Sequence, residues 1–263
     1  MKYLFSLSSK IGRSFLNYLD YIFSLSGLLY CILKIFVKGN YSGKKLVRLG
    51  IIEQIYFTAV QALRIIIPIA LVIGTAFFLQ FSKIADQYDL GKLAAVILLR
   101  ELGPMIAAVV VILRSATAVT TEIGYMNVQG EMDAIQMAGV DPLALICLPR
   151  LIGITTAILC LFIVFSLVSV LGGFASAWIL SDISLHRFLL TIGKSISFSD
   201  VFAVLFKAMG FGVIISIICL YRGFEAKNSI TEVPVRTAKA AVECFFYCLI
   251  FNVLISVIFM LRG

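Results

Sequence analysis

The chain has 263 residues, of which 61% are hydrophobic and only 14% charged, against roughly 25% charged in a soluble domain. With a mean hydropathy of +1.07, this composition excludes a soluble globular protein. At about 20 apolar residues per span, the length allows roughly four to seven spans and no separate soluble catalytic domain. The net charge of +8 does not point to nucleic acid, because the basic residues flank apolar segments, eight of them before residue 49. That distribution fits attraction to anionic headgroups on a cytoplasmic membrane face.

Residues 10–38 place Ile11, Phe15, Leu19, Ile22 and Phe23 at helical spacing, with Ser14, Asn17, Asp20 and Ser24 between them. The pattern predicts an amphipathic helix lying in the membrane interface, with a short span over 21–33 as the alternative. Lys10, Arg13 and Asp20 interrupt any early signal-peptide core. A basic, glycine-containing loop follows at 38–45, so residues 1–50 form an interfacial unit and 51–263 the transmembrane unit.

Five spans are predicted, at about 55–81, 93–119, 149–180, 201–220 and 242–261. The first carries Gln61, Arg64 and Pro68 in its first half. Helices are the open-ended way to satisfy a backbone in lipid. The fold class is therefore all-α integral membrane: an N-terminal interfacial helix, five transmembrane helices and a short cytoplasmic helix. A cytoplasmic N-terminus puts the eight early Lys and Arg inside with Arg222, Lys227, Arg236 and Lys239, against Lys83, Lys92, Arg187, Lys194 and Arg262 outside. The excess supports that orientation.

No cysteine pair has C-x-x-C spacing and His186 is the single histidine, so no metal site or disulfide framework is expected. Gly39-Asn-Tyr-Ser-Gly-Lys-Lys45 lacks the spacing and ending of a nucleotide-binding loop, and no hydrolase motif is present.

The second span holds the charged stretch Arg100-Glu-Leu-Gly-Pro104. A charge at the bilayer centre costs roughly 2.5–3.5 kcal/mol or more, so Arg100 and Glu101 are expected to face a bundle interior or a wet cavity. Consecutive helical residues do not pair by adjacency, so each needs its own surroundings. Pro104 cannot donate to the carbonyl of Arg100, and Pro68 does the same to the carbonyl of Arg64. The functional expectation is a polar-headgroup site or gate formed by Arg100, Glu101, Gln80, Arg64 and Arg114, with helix breaks at Gly103, Pro104 and Pro68. The structural alternative is interhelical salt bridges to Arg64, Arg114 or Glu243.

Between spans two and three, Gly130 and Gly139 bracket Glu131, Met132, Asp133, Ile135 and Met137, and Asp141-Pro142 follows. This predicts a two-turn helix closed by Gly139. So short a helix is unstable alone, and it must dock on its own bundle or on a soluble partner.

In their order and spacing, Arg100-Glu-Leu-Gly-Pro104, Arg114, Glu122-Ile-Gly-Tyr-Met126, Met132-Asp-Ala134, Ala138-Gly-Val-Asp-Pro142 and Pro149-Arg150 resemble the MlaE permease family. Gly223-Phe224 and the 236–242 stretch extend the likeness weakly over most of the chain. Leu113 and Ala116 stand where that family commonly has glycine, Gln129-Gly-Glu131 where it has Thr-Glu-Gln, and 225–234 where it has a Gly-rich run.

The resemblance implies the membrane subunit of an ABC transporter for phospholipid or a related lipid; with no obvious transit peptide, a bacterial inner membrane is expected rather than a plastid envelope. It implies a homodimer, a separate ABC ATPase carrying ATP and Mg, an MCE-domain substrate-binding protein, and no cofactor on this chain. The short helix would be the coupling helix, with Glu122, Glu131, Met132, Asp133, Ile135, Met137, Gly139, Asp141 and Pro142 as contact residues. The rival is an ion- or proton-coupled secondary carrier in which Glu101 titrates. Such a carrier has no need of a coupling helix.

Overall fold

The computed structural model describes residues 2–38, 43–82, 97–181, 198–227 and 229–261. Nearly all of these are helical and none is in a strand. The helices are α1 (Lys2–Lys38), α2 (Lys44–Ile55), α3 (Leu63–Ser82), α4 (Gly103–Val111), α5 (Thr117–Val128), α6 (Glu131–Met137), α7 (Leu148–Ser181), α8 (Phe198–Phe224) and α9 (Glu232–Met260). Four π-helical turns, Tyr56–Val60, Leu98–Leu102, Ile112–Ala116 and Leu143–Cys147, interrupt or precede these helices. Residues 39–42 of the basic loop, the connections at 83–96 and 182–197, and His186 among the latter, lie outside the described residues.

Among the described residues, six segments are long and apolar enough to cross a membrane: Leu19–Lys38, Lys44–Gln80, Leu98–Val128, Leu143–Ser176, Asp200–Phe224 and Glu232–Phe259. The last five match the predicted spans, with shifted ends. Helix continues to Val128 rather than stopping near 119. Thr117, Thr120 and Thr121 hydrogen-bond the carbonyls of Leu113, Ala116 and Thr117 four residues back, which hides their polarity. The last helix begins at Glu232, ten residues before the predicted start, because Val233 packs on Gly124 and Thr237 meets Thr121 at 3.0 Å.

The sixth segment is the apolar half of α1. Among its described side chains only Ile32 is buried. The main contacts of α1 are to α8 and to the Leu143–Cys147 turn, and Tyr21 meets Tyr221, whose ring lies 5.1 Å away near the end of α8. Both contacts fall at the end of the bundle that carries α6. They seat α1 across that end rather than along a neighbouring span.

The α2–α3 segment and α7 run side by side in the same direction: Gly50 faces Pro149, and Gly74 faces Ser169. A Cβ on Gly74 would lie 2.2 Å from the Ser169 carbonyl oxygen. The two backbones therefore touch, as small residues permit in lipid. Helices α4, α5, α7 and α8 enclose the core, where Ile158, Leu161, Phe165, Phe211 and Ile215 are fully buried. Phe246, Val253, Leu254, Val257 and Ile258 leave an apolar face of α9 exposed, as a lipid-facing helix requires.

Candidate functional site: a buried charge network and an exposed short helix

Arg100 and Glu101 sit on the Leu98–Leu102 π turn, where the Gly103 N–H reaches back five residues to the Leu98 carbonyl. Their side chains approach only to 3.7 Å, and each has a nearer partner on another helix. Arg100 Nη1 donates to Asp200 Oδ1 at 2.9 Å. Lys207 Nζ donates to Glu101 Oε2 at 2.8 Å and to Ser256 Oγ at 2.7 Å. Ser256 Oγ and Asn252 Nδ2 donate to the same Glu101 oxygen at 2.8 and 3.3 Å. The side chain of Lys207 is 0% exposed.

Among the described residues, two cations and two anions from the 98–102 turn and α8 meet two polar groups from α9 in one cluster. This meets the requirement that charges in a span be paired within the bundle. Pro104 has no N–H to offer the Arg100 carbonyl, and the Lys207 ammonium approaches that oxygen at 3.4 Å. The same ion answers both problems raised by the stretch: the unpaired carboxylate and the freed carbonyl. Gly103 and Pro104 are buried, and a Cβ on Gly103 would meet the Phe162 ring at 3.1 Å.

The other expected cavity residues lie elsewhere. Arg64, Pro68 and Gln80 are exposed on α3. Arg114, on the Ile112–Ala116 π turn, donates to the Phe57 carbonyl and to Gln61 Oε1, with its guanidinium 4.6 Å from the Phe57 ring centroid. It therefore joins two π turns across two spans. Glu243 is held by Arg222, with Nε to Oε2 at 2.7 Å, and by Tyr21 at 2.8 Å. None of Arg64, Arg114 and Glu243 is the partner of Arg100 or Glu101.

At the α6 end, Gly130 enters the helix at φ 75° and Gly139 leaves it at φ 79°. The Val140 N–H bonds the Ile135 carbonyl at 3.3 Å and the Gly139 N–H bonds the Gln136 carbonyl at 3.0 Å, a Schellman ending that needs the left-handed glycine. Asp141 then caps the following helix, its Oδ1 accepting from the Leu143 N–H at 2.9 Å, and Pro142 comes before the Leu143–Cys147 turn. Met132 is buried and Ile135 half-buried, while Glu131, Asp133 and Asp141 are exposed and Met137 is 87% exposed. One face of α6 is anchored and the other is presented outward.

Glu122 pairs with Arg150, which also reaches the buried Gln54. Asn127 Nδ2 donates to the carbonyls of Phe224 and Ala226 at 3.0 and 2.8 Å, fastening the α5 end to the α8–α9 link.

Sequence reasoning missed Asp200, Lys207, Asn252 and Ser256. Lys207 had a usable signal, being an ionisable residue inside the predicted span 201–220, the same signal that singled out Arg100 and Glu101.

Fold and site define a multi-pass helical membrane protein that pairs the charges of its second span inside the bundle and presents a short helix at the opposite end, as a membrane permease does. A family model described as Permease MlaE matches residues 51–258, and the chain belongs to that family. It is 29% identical over 213 residues to a probable ABC transporter permease protein of Rickettsia prowazekii, covering 80% of this chain and 82% of the relative. It is 31% identical over 215 residues to a probable ABC transporter permease protein of Synechocystis, covering 80% and 81%. The intermembrane phospholipid transport system permease protein MlaE of Haemophilus influenzae is 28% identical over 198 residues, covering 73% and 76%.

Proposed function

We propose that this chain is the permease subunit of an ABC transporter that moves phospholipid or a related lipid between a bacterial inner membrane and an MCE-type substrate-binding protein. A separate ATPase, holding ATP and Mg, supplies the energy. The observation that carries the reading is the continuous helical segment 98–128, which has the buried charge network at one end and leads into the exposed α6 at the other.

In this reading α6 is the plug received by the ATPase, and Met137 suits the role because its flexible side chain adapts to a partner groove. Two copies face one another, with the N-terminus in the cytoplasm and α1 along the cytoplasmic interface. ATP binding draws the two ATPases together, α6 moves with them, and α5 carries the displacement toward the cavity between the copies. Arg100 and Glu101 then lie toward the outer leaflet, where a headgroup meets the bundle. The rival secondary carrier is disfavoured, since it has no need of the exposed α6.

Purification in mild detergent, with identification of co-purifying chains and lipids, tests the reading; recovery of neither an ATPase nor lipid counts against it. Asp133→Ala or Met137→Ala is expected to separate ATP hydrolysis from lipid movement in a folded permease. Unaltered coupling in both variants would remove α6 from the mechanism.

A further inference from the structure

The first span and α7 pack as one body. A Cβ on Gly172 would lie 2.9 Å from the Leu71 carbonyl oxygen, and one on Gly153 would meet the Gln54 side chain at 2.5 Å. Toward the second span the first is seated more loosely. The two meet mainly where the Tyr56–Val60 and Ile112–Ala116 turns face one another and where α3 passes α4. Between α2 and α5 a cleft of about 480 Å³ remains, with Glu53, Phe57 and Gln61 on one wall and Glu122 and Met126 on the other.

Two arginines bridge that cleft. Toward α6, Arg150 of α7 donates to Gln54 of α2 and to Glu122 of α5. Deeper in the bundle, Arg114 donates to the Phe57 carbonyl and to Gln61 Oε1. The Phe57 carbonyl depends on Arg114, because the N–H groups of Gln61 and Ala62 go to the carbonyls of Tyr56 and Ala59 at 3.4 and 3.2 Å. The acceptors of Arg114, with Ser115 Oγ at 3.4 Å, are all neutral. Arg114 can therefore let go without stranding a carboxylate, as Arg100 or Lys207 would. Phe57 and Gln61 line the cleft, where water can take over the freed groups.

The seam between α7 and α8 is graded in the same sense. Five residues from Arg150 it is tight, since a Cβ on Gly212 would lie 2.5 Å from the Thr155 Cα. Farther from Arg150, an apolar cavity of about 390 Å³ lies between Phe162 and Ser166 of α7 and Val201 and Leu205 of α8. Protein interiors leave few voids, and this one gives α7 room to tilt.

We propose that the chain is a latched two-body device, in which the first span and α7 rock against the second span, α8 and α9. The Arg150 end is the pivot and Arg114 is the latch. When Arg114 releases, the two π turns part, the cleft widens, and the cavity between α7 and α8 takes up the tilt. Such motion uses a discrete contact that is either made or broken, between bodies that stay packed. The device does not rest on the permease reading, since both bodies belong to a single chain.

The test is pulsed electron spin resonance on the full-length protein in vesicles, with the chains that purify with it. Exposed Cys31 and Cys160 are first replaced by serine. Nitroxides on Val60→Cys and Leu113→Cys report across the latch, and nitroxides on Val72→Cys and Leu171→Cys report within the first body; all four positions are exposed. In Arg114→Gln a minor, longer 60–113 distance is expected to grow about tenfold or more relative to the short one, the ratio that one lost charge-assisted hydrogen bond produces. Gln61→Leu, which removes one acceptor and keeps the charge, is expected to shift it the same way by less. The 72–171 distance is expected to stay fixed in both variants.

An unchanged 60–113 distribution in both variants overturns the latch. A 72–171 distance that shifts together with it overturns the two bodies. If Arg114→Gln loses both distances because it fails to fold, Gln61→Leu decides alone.

Discussion

Replacing Lys207 by Met tests whether the charge network is a set of matched partners. Lys207 is fully buried, and its ammonium lies 2.8 Å from Glu101, 2.7 Å from Ser256 and 3.4 Å from the Arg100 carbonyl. Methionine keeps the length and removes the charge, leaving the Glu101 carboxylate with Ser256 and Asn252 as its donors in the bundle. Removing one partner of a buried ion pair costs about 3–5 kcal/mol. The Glu101 side chain is 31% exposed and keeps two neutral donors, so the lower end applies, about 3 kcal/mol. The assay is an SDS titration of helical circular dichroism on purified protein, run on the wild type, Lys207→Met, Glu101→Gln and the double variant. Neutralising both partners removes the uncompensated charge. The double variant is therefore expected to be more stable than the sum of the singles implies, by about 1.5 kcal/mol or more. Single effects that add to within about 0.5 kcal/mol would refute the pairing.

Gly74→Ala places a methyl 2.2 Å from the Ser169 carbonyl oxygen, so α3 must move off α7; the same titration is expected to show a loss of about 1–3 kcal/mol. Arg114→Lys gives up the fork that reaches both the Phe57 carbonyl and Gln61. It is expected to cost about 1–2 kcal/mol, while Arg64→Lys on the exposed face of α3 stays within about 0.5 kcal/mol of wild type. Gly139→Ala puts a Cβ on a residue at φ 79°, which costs about 1 kcal/mol locally. It is expected to raise amide exchange across 135–140 with little change in global unfolding.

The apolar runs were legible because lipid imposes one rule on every residue of a span. The α6 helix was legible because Gly130 and Gly139 mark both of its ends. The span ends were not. Hydropathy falls at Thr117, Thr120 and Thr121, yet their hydroxyls are spent on carbonyls of their own helix. The π turns left no trace in the pattern either, because one extra residue per turn shifts a helical period too little to read over five residues. Arg100 and Glu101 declared a need for partners. Their partners lie about a hundred residues along the chain, and the sequence orders residues, not neighbours. Arg64, Arg114 and Glu243 were named for their charge; depth and facing direction, which decide pairing, belong to the packing.

That packing has a single register along its length. Glu101 stands opposite Ser256, Thr121 opposite Thr237, and Gly124 opposite Val233. Each step along the 98–128 segment toward α6 is thus matched by a nearly equal step back along α9. The contacts at the two extremes are 23 residues apart on each helix, about 35 Å at 1.5 Å per residue. A Cβ on Gly124 would press on Val233 at 3.0 Å, so the α6 end offers little room for slippage. One residue of slip there would carry Glu101 away from Ser256 and turn its carboxylate by about 100° from Lys207. The position of the charge network is thus set in part by small-residue contacts at the far end of the same helix pair, next to the short helix that the proposed ATPase would engage.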